Sequence, residues 1–261
     1  MHIVVLVKQV PNTTQVKIDP VTNNLVREGV PSIVNPYDLY AIEEALRLRE
    51  KHGGRVTALS MGPRQALEVV KYALAMGADQ GVLLSDRAFA GADTLATSYT
   101  LAAGLACLEP ADLVLAGKQA ADGDTAQVPA ELAGHLGLGC LTYVSRILSL
   151  EAGKATVIRA MDFAEVKAEV ALPAVLTLNK GINEPRLPRL RDMVRAAGQP
   201  VRILQAADMT LDESRISLAG SPTQVMKVFS PERKKSGFLA AGGPAQQAAT
   251  VVKALQERGM I

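Results

Sequence analysis

Asp112-Leu-Val-Leu-Ala-Gly-Lys-Gln-Ala-Ala-Asp-Gly-Asp-Thr-Ala-Gln-Val-Pro-Ala-Glu-Leu-Ala-Gly-His-Leu136 decides the fold. Asp112 to Ala116 is a short, almost wholly apolar run, which suits a strand buried on both faces. Ala126 to Leu136 carries apolar residues at helical spacing and stops before Gly137. A buried strand feeding a helix is half of a parallel strand–helix–strand unit. Outward from this stretch the pattern recurs. Ile3 to Val7 precedes a helix that opens at Asn35-Pro36 and ends near Gly53-Gly54. Arg55 to Met61 precedes a helix with Leu67, Val70 and Leu74 on one face, closed by Gly77, and Gln80 to Leu84 precedes a helix from Ala92 to Leu108. Four strand–helix units in series predict an α/β domain over residues 1–182, a parallel sheet flanked by helices. Such sheets take ligands beyond the carboxyl ends of their strands, where strand order reverses. The loops after Val7, Met61 and Ala116 are therefore the candidate binding edge.

Past Cys140 the texture changes. Thr142 to Leu150, Ala155 to Met161 and Glu165 to Ala171 alternate in part, which predicts a small antiparallel addition. From Asn183 the chain is punctuated by Pro185, Pro188, Pro200, Pro222, Pro231 and Pro244, with few apolar runs. Residues 183–261 are expected to form a partner-docking loop and an extended C-terminal arm lying on a partner, with Ala245 to Arg258 as its one helix. Val10 to Val34 is a long polar connection containing the turn-forming pair Asn23-Asn24, a length that is often functional.

Composition narrows the function classes. Over 261 residues, 28 Lys+Arg against 26 Asp+Glu leave a net charge of +2, which excludes a nucleic-acid-coating protein and an acidic tail protein. A hydrophobic fraction of 48% excludes general disorder. Aromatic residues make up 3%, so base-stacking modules are excluded and a planar ligand must rest on backbone and aliphatic contacts. Cys107 and Cys140 form no CxxC pair and read as buried thiols in a reducing compartment. The apolar start of the chain is too short for a signal segment, and no run of 18 apolar residues occurs. A cytoplasmic protein without membrane insertion is expected.

Enzymatic constellations are mostly absent, and no catalytic side chain or metal site is predicted. Gly117-Lys118 is followed by Gln119, so a phosphate-binding P-loop fails at its hydroxyl position. Gly137-Leu-Gly139 has Thr142 where a dinucleotide fingerprint needs a third glycine, and reads more simply as a helix end. His2, His52 and His135 are scattered, and Asp122-x-Asp124 lacks the glycine and glutamate of a calcium loop. The segment from Gly117 to Gln127 stands out. A glycine at the strand exit, Asp-Gly in the turn and polar groups at the helix start would expose backbone N–H groups to an anion. The simpler reading is a turn at Asp122-Gly123 with Asp124 or Thr125 capping the helix. Against it stand Lys118, Gln119, Asp122, Asp124, Thr125 and Gln127, more polar side chains than a short connection needs. Asn35-Pro-Tyr-Asp38 supplies a second helix N-terminus, which alone would be an ordinary Asn cap. Met61-Gly-Pro63 could lie along a flat apolar ligand or be a plain turn. Three such loops on one sheet edge favour a nucleotide.

Several separated motifs in fixed order then carry a resemblance. Val7-Lys-Gln-Val10, Asn35-Pro-Tyr-Asp38 leading into Glu43-Glu-Ala-Leu-Arg-Leu48, Ala73-Leu-Ala-Met-Gly-Ala-Asp79, Asp112 to Gln119, and Leu172-Pro-Ala-Val175 through Asn183-Glu-Pro-Arg186 resemble the β subunit of electron transfer flavoproteins over nearly the whole chain. The resemblance implies an adenine-nucleotide α-hydrolase-like fold, a heterodimer with an α subunit, and electron transfer to or from a flavin-containing dehydrogenase. In that family the β-subunit nucleotide is AMP in one branch, and FAD with NADH beside it in the flavin-bifurcating branch, which also serves ferredoxin or flavodoxin. The loop Asp122-Gly123-Asp124-Thr125-Ala126-Gln127-Val128 looks like the bifurcating branch, and a glycine at 123 would let backbone approach a pyrophosphate. Pro129 stands where that branch usually has glycine. By the resemblance, the cofactor site comprises Leu6, Asn35, Pro36, Tyr37, Asp38, Met61, Lys118, Gln119, Ala120, Ala121, Asp122, Gly123, Asp124, Thr125, Ala126, Gln127, Val128 and Pro129. The docking loop falls on Pro185 to Met193, with Leu190 as the inserting residue. Two alternatives stand beside this: a non-bifurcating carrier with structural AMP, and a universal-stress-type nucleotide sensor, against which the long tail after Asn183 argues.

Overall fold

The computed structural model describes residues 1–12, 31–151, 153–226, 237 and 239–261. Most of the predicted connection from Val10 to Val34, with Asn23-Asn24, lies outside the described residues. The chain opens with β1 (His2–Leu6), β2 (Gln9–Pro11), β3 (Ser32–Val34), α1 (Pro36–His52), β4 (Arg55–Met61) and α2 (Leu67–Met76). It continues with β5 (Gln80–Leu84), α3 (Thr94–Ala106), β6 (Leu113–Gly117), α4 (Val128–Leu136), β7 (Gly139–Glu151), β8 (Lys154–Ala160), β9 (Glu165–Ala171) and β10 (Ala174–Leu178). After α5 (Leu190–Gly198) and β11 (Arg202–Leu204), the last element is α6 (Pro244–Glu257).

One nine-stranded sheet runs in the order β11-β5-β4-β1-β6-β10-β7-β8-β9. Pairing is parallel from β11 through β7 and antiparallel from there to β9, while β2 and β3 make a separate antiparallel pair. The predicted α/β sheet with a small antiparallel addition is what the chain forms. Strand order reverses at β1, where Ile3 sits opposite Val56 on one side and Leu113 on the other. Every residue of β1 and β6 is buried, which is why neither alternates. Ile3 and Val5 pack with Ile42, Leu46 and Leu74 on one face, and Val4 and Leu6 with Leu59, Leu101 and Leu132 on the other. Alternate side chains of one apolar strand thus feed two cores.

The strand that leads into the antiparallel part begins earlier than its alternation indicates, and its first residues are parallel. β7 starts at Gly139, pairs in parallel with β10 from Gly139 to Val144, and from Val144 onward pairs antiparallel with β8. Gly137 does end α4, in a left-handed conformation with φ 66°. Gly139 is instead a strand residue, and a Cβ there would collide with Val170.

Residues 183–226 do more than the proline-rich sequence indicates. Contacts divide the chain into a compact unit Met1–Met226 and a second unit Lys227–Ile261, whose described part consists mainly of α6. Within the first unit, β11 pairs with β5, and Met209 and Ile216 are buried. The segment is held by polar clamps rather than by long apolar runs. Arg186 binds Glu43 through Nε at 2.8 Å and Glu50 through Nη1 at 2.6 Å, and Asn183 donates to the carbonyl of Tyr40 at 3.0 Å. Burial would push the Glu43 carboxyl up, but Arg186 and Arg47 hold it below its ordinary range. At the other end, Lys71 of α2 donates to the terminal carbonyls of α5 at Ala196 and Ala197, both at 2.9 Å.

Candidate functional site

The carboxyl ends of β1, β4 and β6 open into a cleft of about 740 Å³. Its shape is set by Asn35, which is 1% exposed. Asn35 stands at the N-cap of α1, but its side chain makes no capping bond. Instead Nδ2 donates to the carbonyl of Gln119 at 2.9 Å and to Asp38 Oδ1 at 2.9 Å, while Oδ1 accepts from the N–H of Ala121 at 3.0 Å. Its own N–H donates to the carbonyl of Lys8 at 2.9 Å. The carboxamide behaves like an extra strand residue, answering loop backbone that would otherwise be buried unpaired. Asp38 completes the junction by accepting the N–H of Lys8 at 2.8 Å. Gly117 is required here, because a Cβ would stand 2.5 Å from Asp38 Oδ1 and 2.6 Å from the carbonyl carbon of Tyr37.

The loop after β6 folds on itself. Gln119 donates to Asp124, and the N–H of Asp124 bonds the carbonyl of Ala120 at 2.9 Å. Asp124 and Ala126 hold φ of 54° and 56°, left-handed conformations that few non-glycine residues adopt. The simpler reading, in which Asp124 or Thr125 caps α4, does not hold, since the Asp124 carboxylate serves the loop. Gln127 occupies the cap without a side-chain bond, and Pro129 fits the first turn. Pro129 has no N–H and those of Ala130 and Glu131 both bond the carbonyl of Gln127 at 3.0 Å, so the N-terminus of α4 brings its positive dipole end and the N–H of Val128 to the cleft with no side-chain cap. Gly123 has no protein atom within 4 Å of where a Cβ would stand.

Of the residues the resemblance assigns, Leu6, Asn35, Asp38, Met61, Gln119, Ala120, Asp122, Gly123, Thr125, Ala126, Gln127, Val128 and Pro129 line this one cleft. Pro36 and Tyr37 form the first turn of α1, and Ala121 and Asp124 shape the loop from behind. Lys118 turns away, its Nζ 5.4 Å from the ring centre of Tyr143. Leu190 begins α5 and is 77% exposed, outside the cleft. Sequence reading missed the wall formed by Ala92, Asp93, Thr94 and Thr97 and the contribution of Lys8 and Glu68. A signal existed, because Asp93 directly before a helix at a strand's carboxyl end is the same mark that drew attention to Asn35.

A model of the electron transfer flavoprotein domain matches residues 22–209. The electron transfer flavoprotein subunit beta of Thermoanaerobacterium thermosaccharolyticum is 45% identical over 262 residues, covering 100% of both chains. The chain belongs to the electron transfer flavoprotein family. It falls with the family's beta subunits, and its function is electron transfer. The caffeyl-CoA reductase-Etf complex subunit CarD of Acetobacterium woodii is 46% identical over 263 residues, 100% of each chain. Protein FixA of Azotobacter vinelandii is 46% identical over 238 residues, 89% of this chain and 85% of its own. Among the described residues of this electron transfer flavoprotein chain, no helix is long and apolar enough to cross a membrane.

The junction under the cleft titrates. Burial pushes the Asp38 carboxyl from 3.8 up to about 7, against the hydrogen bonds from Asn35 and the amides of Lys8 and Gly117 and the charge of Lys8. The folded protein thus holds this proton where the unfolded chain releases it. The stability from that difference is full below pH 3.8 and lost as pH rises through about 7. The slope is at most about 1.4 kcal/mol per pH unit. Asp38→Asn should flatten this part of the pH dependence, measured as denaturation midpoints at a series of pH values for both proteins. Parallel curves for the two would remove Asp38 as the titrating group.

Proposed function

We propose that the chain pairs with an electron transfer flavoprotein α subunit, holds FAD in the cleft at the β1/β6 switch point, and works in flavin-based bifurcation with NADH as donor. The observation that carries this reading is the loop from Gly117 to Pro129. It sets an uncapped helix N-terminus beside Gly123, whose missing side chain no protein atom replaces. That arrangement suits a pyrophosphate, which FAD has and AMP lacks. Leu6, Met61 and Leu101 give the cleft aliphatic surface for a planar ring in a chain poor in aromatics. FAD bound there would supply acceptance of hydride from NADH and release of single electrons toward ferredoxin or flavodoxin and, through the α subunit, a flavin-containing dehydrogenase. The chain's own residues bind and orient; none needs to transfer a proton. A relative named as a subunit of a caffeyl-CoA reductase-Etf complex supports work inside a larger assembly.

The purified heterodimer should carry a second FAD rather than one FAD and one AMP, determined by extraction and chromatography. NADH added without oxygen should bleach flavin in the absence of any dehydrogenase. Gly123→Leu should abolish both the second FAD and the bleaching while leaving the α-subunit flavin. An AMP in the extract would instead assign the chain to the non-bifurcating carriers.

For docking we propose the start of α5, where Leu187, Leu190 and Val194 are 84%, 77% and 68% exposed. Arg186 and Lys71 hold the two ends of this segment, so its apolar side chains are presented on a fixed support. Leu190→Ala should weaken coupling to the dehydrogenase by about 2 kcal/mol, with flavin content and NADH oxidation by artificial acceptors unchanged. Unaltered dehydrogenase coupling would make Leu190 an ordinary surface residue.

A further inference from the structure

As it stands the cleft is poorly charged for a phosphate ligand. Among the described residues lining it, Lys8 is the one cationic side chain, against Glu68, Asp93 and Asp122 and the buried carboxyl of Asp38, which keeps its proton up to about pH 7. Two of those carboxyl groups serve the fold. Asp38 accepts from the N–H of Lys8 and from Asn35, and Asp93 caps α3 through the N–H of Ala96 and accepts from Thr223. Asp122 does something different. Its Oδ1 lies 2.7 Å from Lys8 Nζ, joining the connection after β1 to the loop after β6. The charge of Lys8 is therefore cancelled at the cleft by a carboxylate from the opposite wall. With side chains 48% and 27% exposed, the pair is of the solvent-screened kind that contributes little and exchanges readily.

We propose that Lys8 and Asp122 form an exchange latch, in which a nucleotide phosphate takes the place of Asp122 on Lys8. The proposal rests on the nucleotide reading of the cleft and gives Asp122 a role opposite to that of a ligand contact. Asp122 competes with the incoming anion, and the only ligands that displace it are those able to offer Lys8 a charge at least as good. Phosphate esters of adenosine qualify and adenosine itself does not. Lys8 is a nucleotide-binding residue by this reasoning, and its motif Val7-Lys-Gln-Val10 gains a function beyond ending a strand.

The test is a calorimetric titration of the heterodimer, freed of its β-site nucleotide, with ADP, AMP and adenosine in turn. Asp122→Asn keeps the shape of the side chain and removes its charge, so ADP should bind about fivefold tighter than to the wild type. Lys8→Gln should bind ADP about tenfold more weakly, and adding Asp122→Asn to it should give no gain, because the competitor matters only while Lys8 is present. Adenosine affinity should not move in either variant. ADP binding to Asp122→Asn that is unchanged or weaker would overturn the latch. So would a gain that persists without Lys8, or one that adenosine shares. Failure of the underlying reading looks different: the wild type would bind none of the three ligands, and the latch would fall with it.

Discussion

A single buried carboxamide, that of Asn35, decides the form of the binding edge. A parallel sheet supplies a crevice where strand order reverses, but the crevice alone leaves the loop after β6 without a fixed course. The Asn35 carboxamide ties that loop to the start of α1 with both amide protons and the carbonyl oxygen, and the residue's backbone N–H ties it to Lys8 after β1. Everything functional in the cleft hangs from this tie. Gly117 must lack a side chain so that Asp38 and Tyr37 can close against it, and the loop beyond is left free to turn at Asp124 and Ala126 and to deliver α4 uncapped. The residue that sequence rules mark as a helix cap is used here as a bracket between two loops, and the helix that most needs a cap is left without one. That inversion suits the anionic ligand proposed for the cleft.

The legible and the illegible parts of this molecule divide along the range of the interactions involved. β1, β4, β5 and β6 are short apolar runs bounded by turn residues, so their burial was written locally, and the switch-point rule then located the cleft. β11 has three residues and gains its place only by pairing with β5. The parallel start of β7 depends on β10, more than thirty positions away in the chain, and no local period announces it. Arg186 sits among prolines that read as an unsupported tail, yet its partner Glu43 lies 143 positions earlier. Lys8 was visible as part of a motif, but its relation to Asp122 spans 114 positions and appears only in three dimensions. The wall at Asp93 is the one omission that local reasoning could have repaired.

The two ends of α1 connect the functions proposed for the chain. Its first turn builds the cleft through Asn35 and Asp38, and its middle and last turns carry Glu43 and Glu50, which hold Arg186 at the base of the docking segment. Electron transfer between the flavin and the partner proposed here needs both sites at a fixed separation, and a helix of 17 residues packed on β1, β4, β6 and β10 is a stiff spacer. Glu43 and Arg186 then serve geometry rather than net stability, since ion pairs of this depth roughly balance their desolvation.

The claim that Asn35 organises the site is open to a direct measurement, hydrogen exchange of backbone amides in wild type and Asn35→Ala. Loss of the carboxamide should expose the amides from Gln119 to Gln127 by about 1–3 kcal/mol, with loss of the nucleotide proposed for the cleft, while the amides of β1, β4 and β6 keep their protection. A variant whose loop amides stay protected and whose nucleotide stays bound would show that the loop holds its course without Asn35.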